Sequence, residues 1–308
     1  MKTCPFFGIC GGCKYDFAAP DYRENKLSEI STLPVTGPAI WTEIGTRRRA
    51  DFAFADGVFG FYKNHSKTIV PIRQCPLMCP KINDLLPHLA AMPWGGAGSC
   101  LVTICDNGTD ITVTSPVPYF SSEFRRVAEL LPGVIRVTWN SHTVMCRATP
   151  VINFDGHTVE YPAGAFLQPT VSSERVLRNM VLTAASGAHH IADLFCGLGN
   201  FTFALNATGF DIVGTGIKRD LFTHPLTVGM LNQYDCLVMD PPRAGAFAQC
   251  KEIIKSRVSR VIYVSCNPTT WRRDANVLTR GGFWLQELVP VDQFVGSAHW
   301  EIFSVFNI

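Results

Sequence analysis

A chain of 308 residues is long enough for two domains and a sizeable core. Its residues are 47% hydrophobic and 17% charged, the balance of a globular protein, and no stretch approaches the roughly 20 apolar residues of a membrane-spanning helix. A net charge of +2 excludes a polycation, and twelve cysteines behind a start (Met1-Lys2-Thr3-Cys4) without an apolar signal segment argue for a cytoplasmic protein rather than a disulfide framework.

Cys4, Cys10 and Cys13 crowd the first thirteen residues, with Gly8, Gly11 and Gly12 between them and Cys75 far downstream. Thiols at that spacing suggest a metal or iron–sulfur centre; zinc is the competing metal, and Cys79 competes with Cys75 for the fourth place. Residues 21–30 read as a helix with Leu27 and Ile30 on one face. Asp56-Gly57 between two apolar runs predicts a hairpin over 50–62, and Asp106-Asn107-Gly108 predicts another over 100–113. Helices are expected over 81–92 and 121–131, and strands over 134–139 and 143–147, so the first 165 residues read as α+β. Basic residues cluster at Arg47-Arg48-Arg49, at Lys63, Lys67 and Arg73, and at Arg272-Arg273. Such clusters follow phosphates or are solvated surface.

From about residue 166 helix and strand alternate: helix 171–186, strand 189–195, helix 199–205, strands 210–217 and 234–239, helix 246–256, strand 259–265, helix 270–279, and strands near 283–289 and 300–307. That alternation predicts a doubly wound parallel sheet, whose chemistry gathers at the carboxyl ends of its strands.

Three such ends carry candidates. Asp193-Leu194-Phe195-Cys196-Gly197-Leu198-Gly199-Asn200 is a strand, a glycine turn and a helix start. It does not complete the dinucleotide fingerprint, and it suits a nucleoside ligand without a pyrophosphate, such as S-adenosylmethionine. Asp240-Pro241-Pro242-Arg243 is a stiff strand exit able to hydrogen-bond a planar base. Cys266, in Val264-Ser265-Cys266-Asn267-Pro268, is either a covalent nucleophile or a small core filler. His299-Trp300-Glu301 places a histidine and a glutamate on one face of a strand.

Together these segments resemble the RNA (uracil-5-)-methyltransferase family, the 5-methyluridine formers, over most of the chain. The run from Cys4 to Cys13 with Cys75 is similar to the family's four-cysteine [4Fe–4S] site. Phe166-Leu167-Gln168 resembles its Phe-Phe-Gln segment, and the 193–200, 240–243 and 265–268 segments resemble its methyl-donor, base-side and nucleophile motifs. The resemblance implies residues 1–165 as an iron–sulfur and RNA-binding α+β region. It implies residues 166–308 as a class I, Rossmann-like methyltransferase domain. Cys266 is then the nucleophile, Glu301 the proton acceptor, Gln168, Phe195, Asn200 and Asp240 the methyl-donor site, and Cys4, Cys10, Cys13 and Cys75 the cluster ligands. It further implies S-adenosylmethionine as methyl donor, a loop or single-stranded uridine of 23S ribosomal RNA as substrate, no membrane, and a monomer. The four cysteines and the absence of a barrel before Cys4 are similar to the shorter ribosomal RNA members; the same reaction on tRNA is the alternative.

The chain departs from that family at two places. Only 43 residues separate Cys196 from Asp240, where average element lengths require roughly 60 to 70. The segment 206–220 resembles the family's third strand, so the second strand and its ribose-binding acid are expected to be missing. Phe294-Val295-Gly296-Ser297-Ala298-His299 also lacks the first histidine of the family's Phe-Pro-His-Thr run. These losses motivate a rival expectation, an RNA-binding or assembly protein with a degraded methyl-donor pocket.

Overall fold

The computed structural model describes residues 3–118 and 120–308. The larger of its sheets has eight strands. Their order is Ile40–Trp41, Trp284–Asp292, Glu301–Asn307, Arg260–Ser265, Cys236–Met239, Ile191–Leu194, Thr208–Asp211 and Ile217–Lys218. Every neighbouring pair is parallel except those made by Glu301–Asn307, which runs antiparallel to both its neighbours. The central strands are buried on both faces, which is why Cys236–Met239 and Val261–Val264 read as unbroken apolar runs. Their twofold alternation splits them between two cores. Leu237, Met239, Val261 and Tyr263 pack with Cys250, Ile253, Trp271 and Leu278 of the helices Phe247–Ile253 and Pro268–Arg280. Val238, Ile262 and Val264 pack with Leu177 and Val181 of Val171–Ala184 on the opposite face.

The second sheet has seven strands, ordered Ile69–Pro71, Val58–Tyr62, Arg49–Ala55, Ala97–Cys105, Gly108–Thr114, Val134–Trp139 and His142–Cys146. Both predicted hairpins are present, and Ile82, Leu85, Leu86 and Leu89 of the helix Pro80–Ala90 cover its core. A further hairpin, Val151–Phe154 with His157–Glu160, turns at Asp155-Gly156, and its His157 stacks on Phe203 at 4.8 Å. Asp155-Gly156 carries the same turn signal as Asp56-Gly57, so this hairpin was open to the same reasoning.

Two expectations need correction. The strand expected over 210–217 is two strands, Thr208–Asp211 and Ile217–Lys218. Thr208–Asp211 occupies the sheet position beside Ile191–Leu194, so the strand expected to be missing is present and ends on an acid, Asp211. What is missing is a connecting helix. Parallel neighbours ordinarily need a crossover of a dozen or more residues, and here 212–216 suffices. That connection folds back on the glycine turn so tightly that a Cβ on Gly214, at φ +85°, would lie 1.8 Å from the Gly197 carbonyl oxygen. Thr215 N donates to the same oxygen at 3.1 Å.

The arginine triplet lies along a seam between the sheets, with Arg48 buried and Arg47 and Arg49 half-buried. Arg47 lies against Cys13 and Cys75. Arg48 is buried, ion-pairs with Glu174 and donates from Nε to the Gln168 carbonyl at 3.0 Å. Arg49 sits 5.5 Å from the Phe166 ring. Arg272 and Arg273 also bond internally, to Thr32 and Asp274. Lys63, Lys67 and Arg73 remain exposed.

The N-terminal segment crosses the expected boundary at 165/166. Ile40 and Trp41 pair with Val291 and Asp292 at the edge of the large sheet, and Ile30 and Leu33 enter its core. The helix Tyr22–Leu27 carries a fully buried Lys26 that pairs with Asp292 and donates to the Phe294 carbonyl at 2.9 Å. Tyr22 donates to the other Asp292 oxygen at 2.7 Å, and the Trp300 ring lies 5.1 Å from the ammonium. No helix of the described residues is long and apolar enough to cross a membrane. Removing one partner of a buried ion pair strands the other charge, so Lys26→Met should cost about 3–5 kcal/mol in urea unfolding, and Lys26→Met with Asp292→Leu should recover part of the loss.

Candidate active site

The strand ends converge on one cavity of about 780 Å³. Phe195 follows the strand Ile191–Leu194, Asp240 follows Cys236–Met239, and Cys266 follows Arg260–Ser265; all three line the cavity. Glu301 reaches it from the opposite direction. In the antiparallel ladder Ser265 faces Ile302, so the next residue out, Cys266, comes level with Glu301. Glu301 is itself registered with Val291, which places Asp292 and Gln293 beyond it on the neighbouring strand.

Of the other expected donor-site residues, Gln168 stands behind the wall. Its Nε2 donates to Asp240 Oδ2 at 3.2 Å and its buried Oε1 has no partner. Asn200 opens the helix Asn200–Leu205, and neither polar atom of its buried amide is bonded; it does not line the cavity. Asp193 Oδ1 and Glu301 Oε1 are likewise unbonded. Buried polar atoms without partners are costly, and a polar ligand seated here would satisfy them.

Burial dominates the electrostatics. It raises Asp240 to about 7, with Asp193 adding to the shift and Gln168 opposing it. Asp193 is raised to about 7 by its own burial, against the hydrogen bond from Thr202. Glu301, 2% exposed, is held well above the usual carboxylate range by burial and then by Asp240. The Cys266 thiol is pushed up to about 12 by burial, then by Glu301 and Asp240, while Arg243 pulls it down. At rest the site therefore holds a protonated thiol among carboxyls that titrate late. Such a thiol could act as a nucleophile only after losing that proton.

At the far end of the cavity the wall includes Asp211, Arg219, Asp220 and Phe222, with Phe222 and Phe195 in contact at 5.3 Å. Asp211 accepts from Gly197 N at 2.8 Å and from Val213 N at 3.1 Å, so its carboxylate ties the glycine turn to the shortened connection. In that turn Phe195, Gly197 and Gly199 all have positive φ, which brings bare backbone to the cavity.

A second cavity, of about 200 Å³, is lined by Cys4, Cys10, Cys13 and Cys75 together with Arg47. Cys79 is not in its wall; it caps the helix Pro80–Ala90. The Cys13 thiol is pushed up to about 12 by burial and then by Cys75, Cys10 and Cys4, as mutual neighbours require. Among the described residues no three His, Cys, Asp or Glu side chains gather as a single bound ion would hold them. Cys13 also abuts the cavity end of the large sheet: a Cβ on Gly296 would lie 2.8 Å from its sulfur, and Lys14 N and Tyr15 N donate to the Gly296 carbonyl.

The sequence reasoning missed Gln293, which donates to Glu301, and Asp211. An acid ending a short β-rich run was the available signal for Asp211. Nothing local marked Gln293, whose partner is eight residues away across a turn.

Comparison with known proteins gives a consistent result. Residues 224–306 match the family model described as tRNA (uracil-5-)-methyltransferase. An uncharacterized RNA methyltransferase of Caulobacter vibrioides is 34% identical over 355 aligned positions, spanning 99% of this chain and 85% of that protein. Another, from Agrobacterium fabrum, is 33% identical, spanning 97% of this chain and 82% of that protein. Among solved structures, the Pyrococcus abyssi tRNA (uracil-54, C5)-methyltransferase in complex with S-adenosyl-L-homocysteine superposes with a TM-score of 0.71. It is 17% identical and covers 93% of this chain and 82% of that one, a likeness of fold.

The raised Asp193 sets a pH dependence. Between its unfolded value near 3.9 and about 7 the folded chain holds a proton that the unfolded chain releases, so stability falls as pH rises across that window. Asp193→Asn should gain about 2–4 kcal/mol over the parent at pH 8 and almost nothing at pH 4, read by denaturant titration at both pH values.

Proposed function

Because the chain belongs to the RNA (uracil-5-)-methyltransferase family, we propose that it methylates C5 of a loop or single-stranded uridine in 23S ribosomal RNA, acting as a cytoplasmic monomer. The observation that carries the chemistry is the convergence of Cys266, Asp240 and Glu301 on one cavity. C5 of uracil is a weak nucleophile. After its proton passes to water, addition of the Cys266 thiolate to C6 turns the ring into an enolate whose electron pair sits at C5. S-adenosylmethionine, when bound, supplies the methyl group that C5 takes. Glu301 then removes the C5 proton, and the returning electron pair expels Cys266 as thiolate. The carboxyls of Asp211, Asp220 and Asp240 suit a ligand bearing a sulfonium and an ammonium, and Gln168 holds Asp240 in place. A base must leave its stack to reach a half-buried thiol, which favours loops and single strands.

Cys4, Cys10, Cys13 and Cys75 would hold a [4Fe–4S] cluster. The support for this reading is that all four thiols line one cavity of about 200 Å³; a single zinc ion is the competing occupant. The reaction needs no electron transfer, and the place of this centre against Gly296 points to a structural role. The four-cysteine pattern supports ribosomal RNA as substrate. The family model and the P. abyssi neighbour, both described by tRNA, favour the same reaction on tRNA as the second reading. The shortened 212–216 connection is the observation behind a third, noncatalytic reading, a chain that binds RNA but holds the donor poorly.

Incubation with 5-fluorouridine-substituted 23S RNA fragments and the methyl donor should trap a covalent complex, because fluorine cannot leave C5 as a proton does. The complex should be lost in Cys266→Ala; its survival there would remove Cys266 from the chemistry. The same assay with tRNA separates the two substrates, and calorimetry showing no donor binding at millimolar concentration would favour the noncatalytic reading. Anaerobically purified protein should be brown with about four irons per chain, and a colourless protein carrying one zinc would overturn the cluster.

A further inference from the structure

Among the described residues the side chain of Glu301 has one hydrogen-bond donor, the side-chain amide of Gln293, which donates Nε2–H to Glu301 Oε2. The remaining glutamate oxygen, Oε1, is buried without a partner, and Glu301 lines the cavity that holds Cys266. Gln293 is itself 2% exposed, and its backbone sits directly after Asp292, the residue clamped by Lys26 and Tyr22. A long amide side chain is thus fixed at its root by a buried ion pair and gives one N–H to a carboxylate oxygen, while its own Oε1 is buried without a partner among the described residues.

Resting on the reaction proposed above, we infer that Gln293 is the positioning residue of the proton-removal step: it holds Glu301 by Oε2 so that Oε1 is the oxygen offered to the C5 proton. The charge argument runs the same way. The groups acting on Glu301 and its surroundings are Asp240 and Cys266 at the neighbouring strand ends, Arg243 on the Asp240 loop and His299 on its own segment. Asp240 disfavours the ionised glutamate, and the Gln293 amide favours it. A hydrogen bond to a charged group is worth about 1.5–3 kcal/mol, so its loss should lower the ionised fraction of Glu301 at neutral pH by about ten- to a hundredfold.

The step at risk can be seen separately from the others. Addition of Cys266 to C6 and methylation of C5 do not use the Glu301 oxygen. If proton removal is slow, the methylated RNA stays bonded to Cys266, since the thiolate leaves only on the electron pair that the C5–H bond releases. Gln293→Met keeps the volume and removes the donor. On ordinary uridine RNA it should accumulate an RNA–protein adduct on denaturing gels that the parent clears. Its kcat at pH 7 should fall about tenfold or more with KM little changed, and the acid limb of its rate–pH profile should move to higher pH, so that the deficit shrinks as pH rises. Calorimetry with S-adenosyl-L-homocysteine should give parental affinity. If Gln293→Met loses that affinity, Gln293→Asn, which draws the same amide back by one methylene, must show the adduct and the pH shift. Parental turnover at every pH with no lasting adduct, or a deficit that does not change with pH, would overturn the inference. Absence of any adduct from the parent on 5-fluorouridine RNA would instead overturn the covalent reaction, and this inference with it.

Discussion

Everything at the site depends on the backbone register between Glu301–Asn307 and Arg260–Ser265. The six paired residues running from Arg260↔Asn307 to Ser265↔Ile302 set an acid from one strand level with a thiol just beyond the other. Side chains alternate across a strand, so a slip of one residue would turn Glu301 to the opposite face and bring Ile302 to the cavity. The register is strongly held because both faces of these strands are buried: Tyr263, Ile302 and Phe306 belong to one core, Ile262, Phe303 and Val305 to the other. Packing on two sides thus fixes which residues of the two strands stand level at the cavity. The same burial raises the carboxyls and the thiol, because one apolar environment serves both purposes.

The N-terminal segment secures that strand pair from behind. Lys26 and Tyr22 hold Asp292, Trp300 covers Lys26, and the backbone after Cys13 bonds to Gly296. The cysteine-lined cavity, the buried ion pair and the strand turn carrying His299 and Glu301 are therefore one mechanical unit. The arginine seam makes the second connection, with Arg48 reaching the Gln168 carbonyl while the Gln168 amide reaches Asp240. The N-terminal region thus reaches Asp240 through Gln168, and Glu301 through Asp292 and Gln293.

The sequence made the parallel sheet legible because alternating helical and strand periods survive in any one segment. The site was legible because its residues fall at strand ends: Phe195, Asp240 and Cys266 follow apolar runs directly, and all three line the cavity with Glu301. What escaped was whatever depended on pairing at a distance. Ile40–Trp41 is too short to read as a strand, and only its partner at Val291 and Asp292 makes it one. The arginine triplet looked like a surface because charge is ordinarily solvated, and only Glu174, Gln168 and Phe166 account for its burial. The split at 212–216 was hidden by a continuous β-rich run. The length deficit was visible, but its place in the sheet was not.

That short connection has a consequence for how the protein can change. The five-residue bridge leaves Ile212, Val213 and Ile217 bare to solvent at 60%, 60% and 56%. Ile212 and Val213 also line the cavity beside Asp211, so residues added to this bridge would alter the wall of that cavity directly.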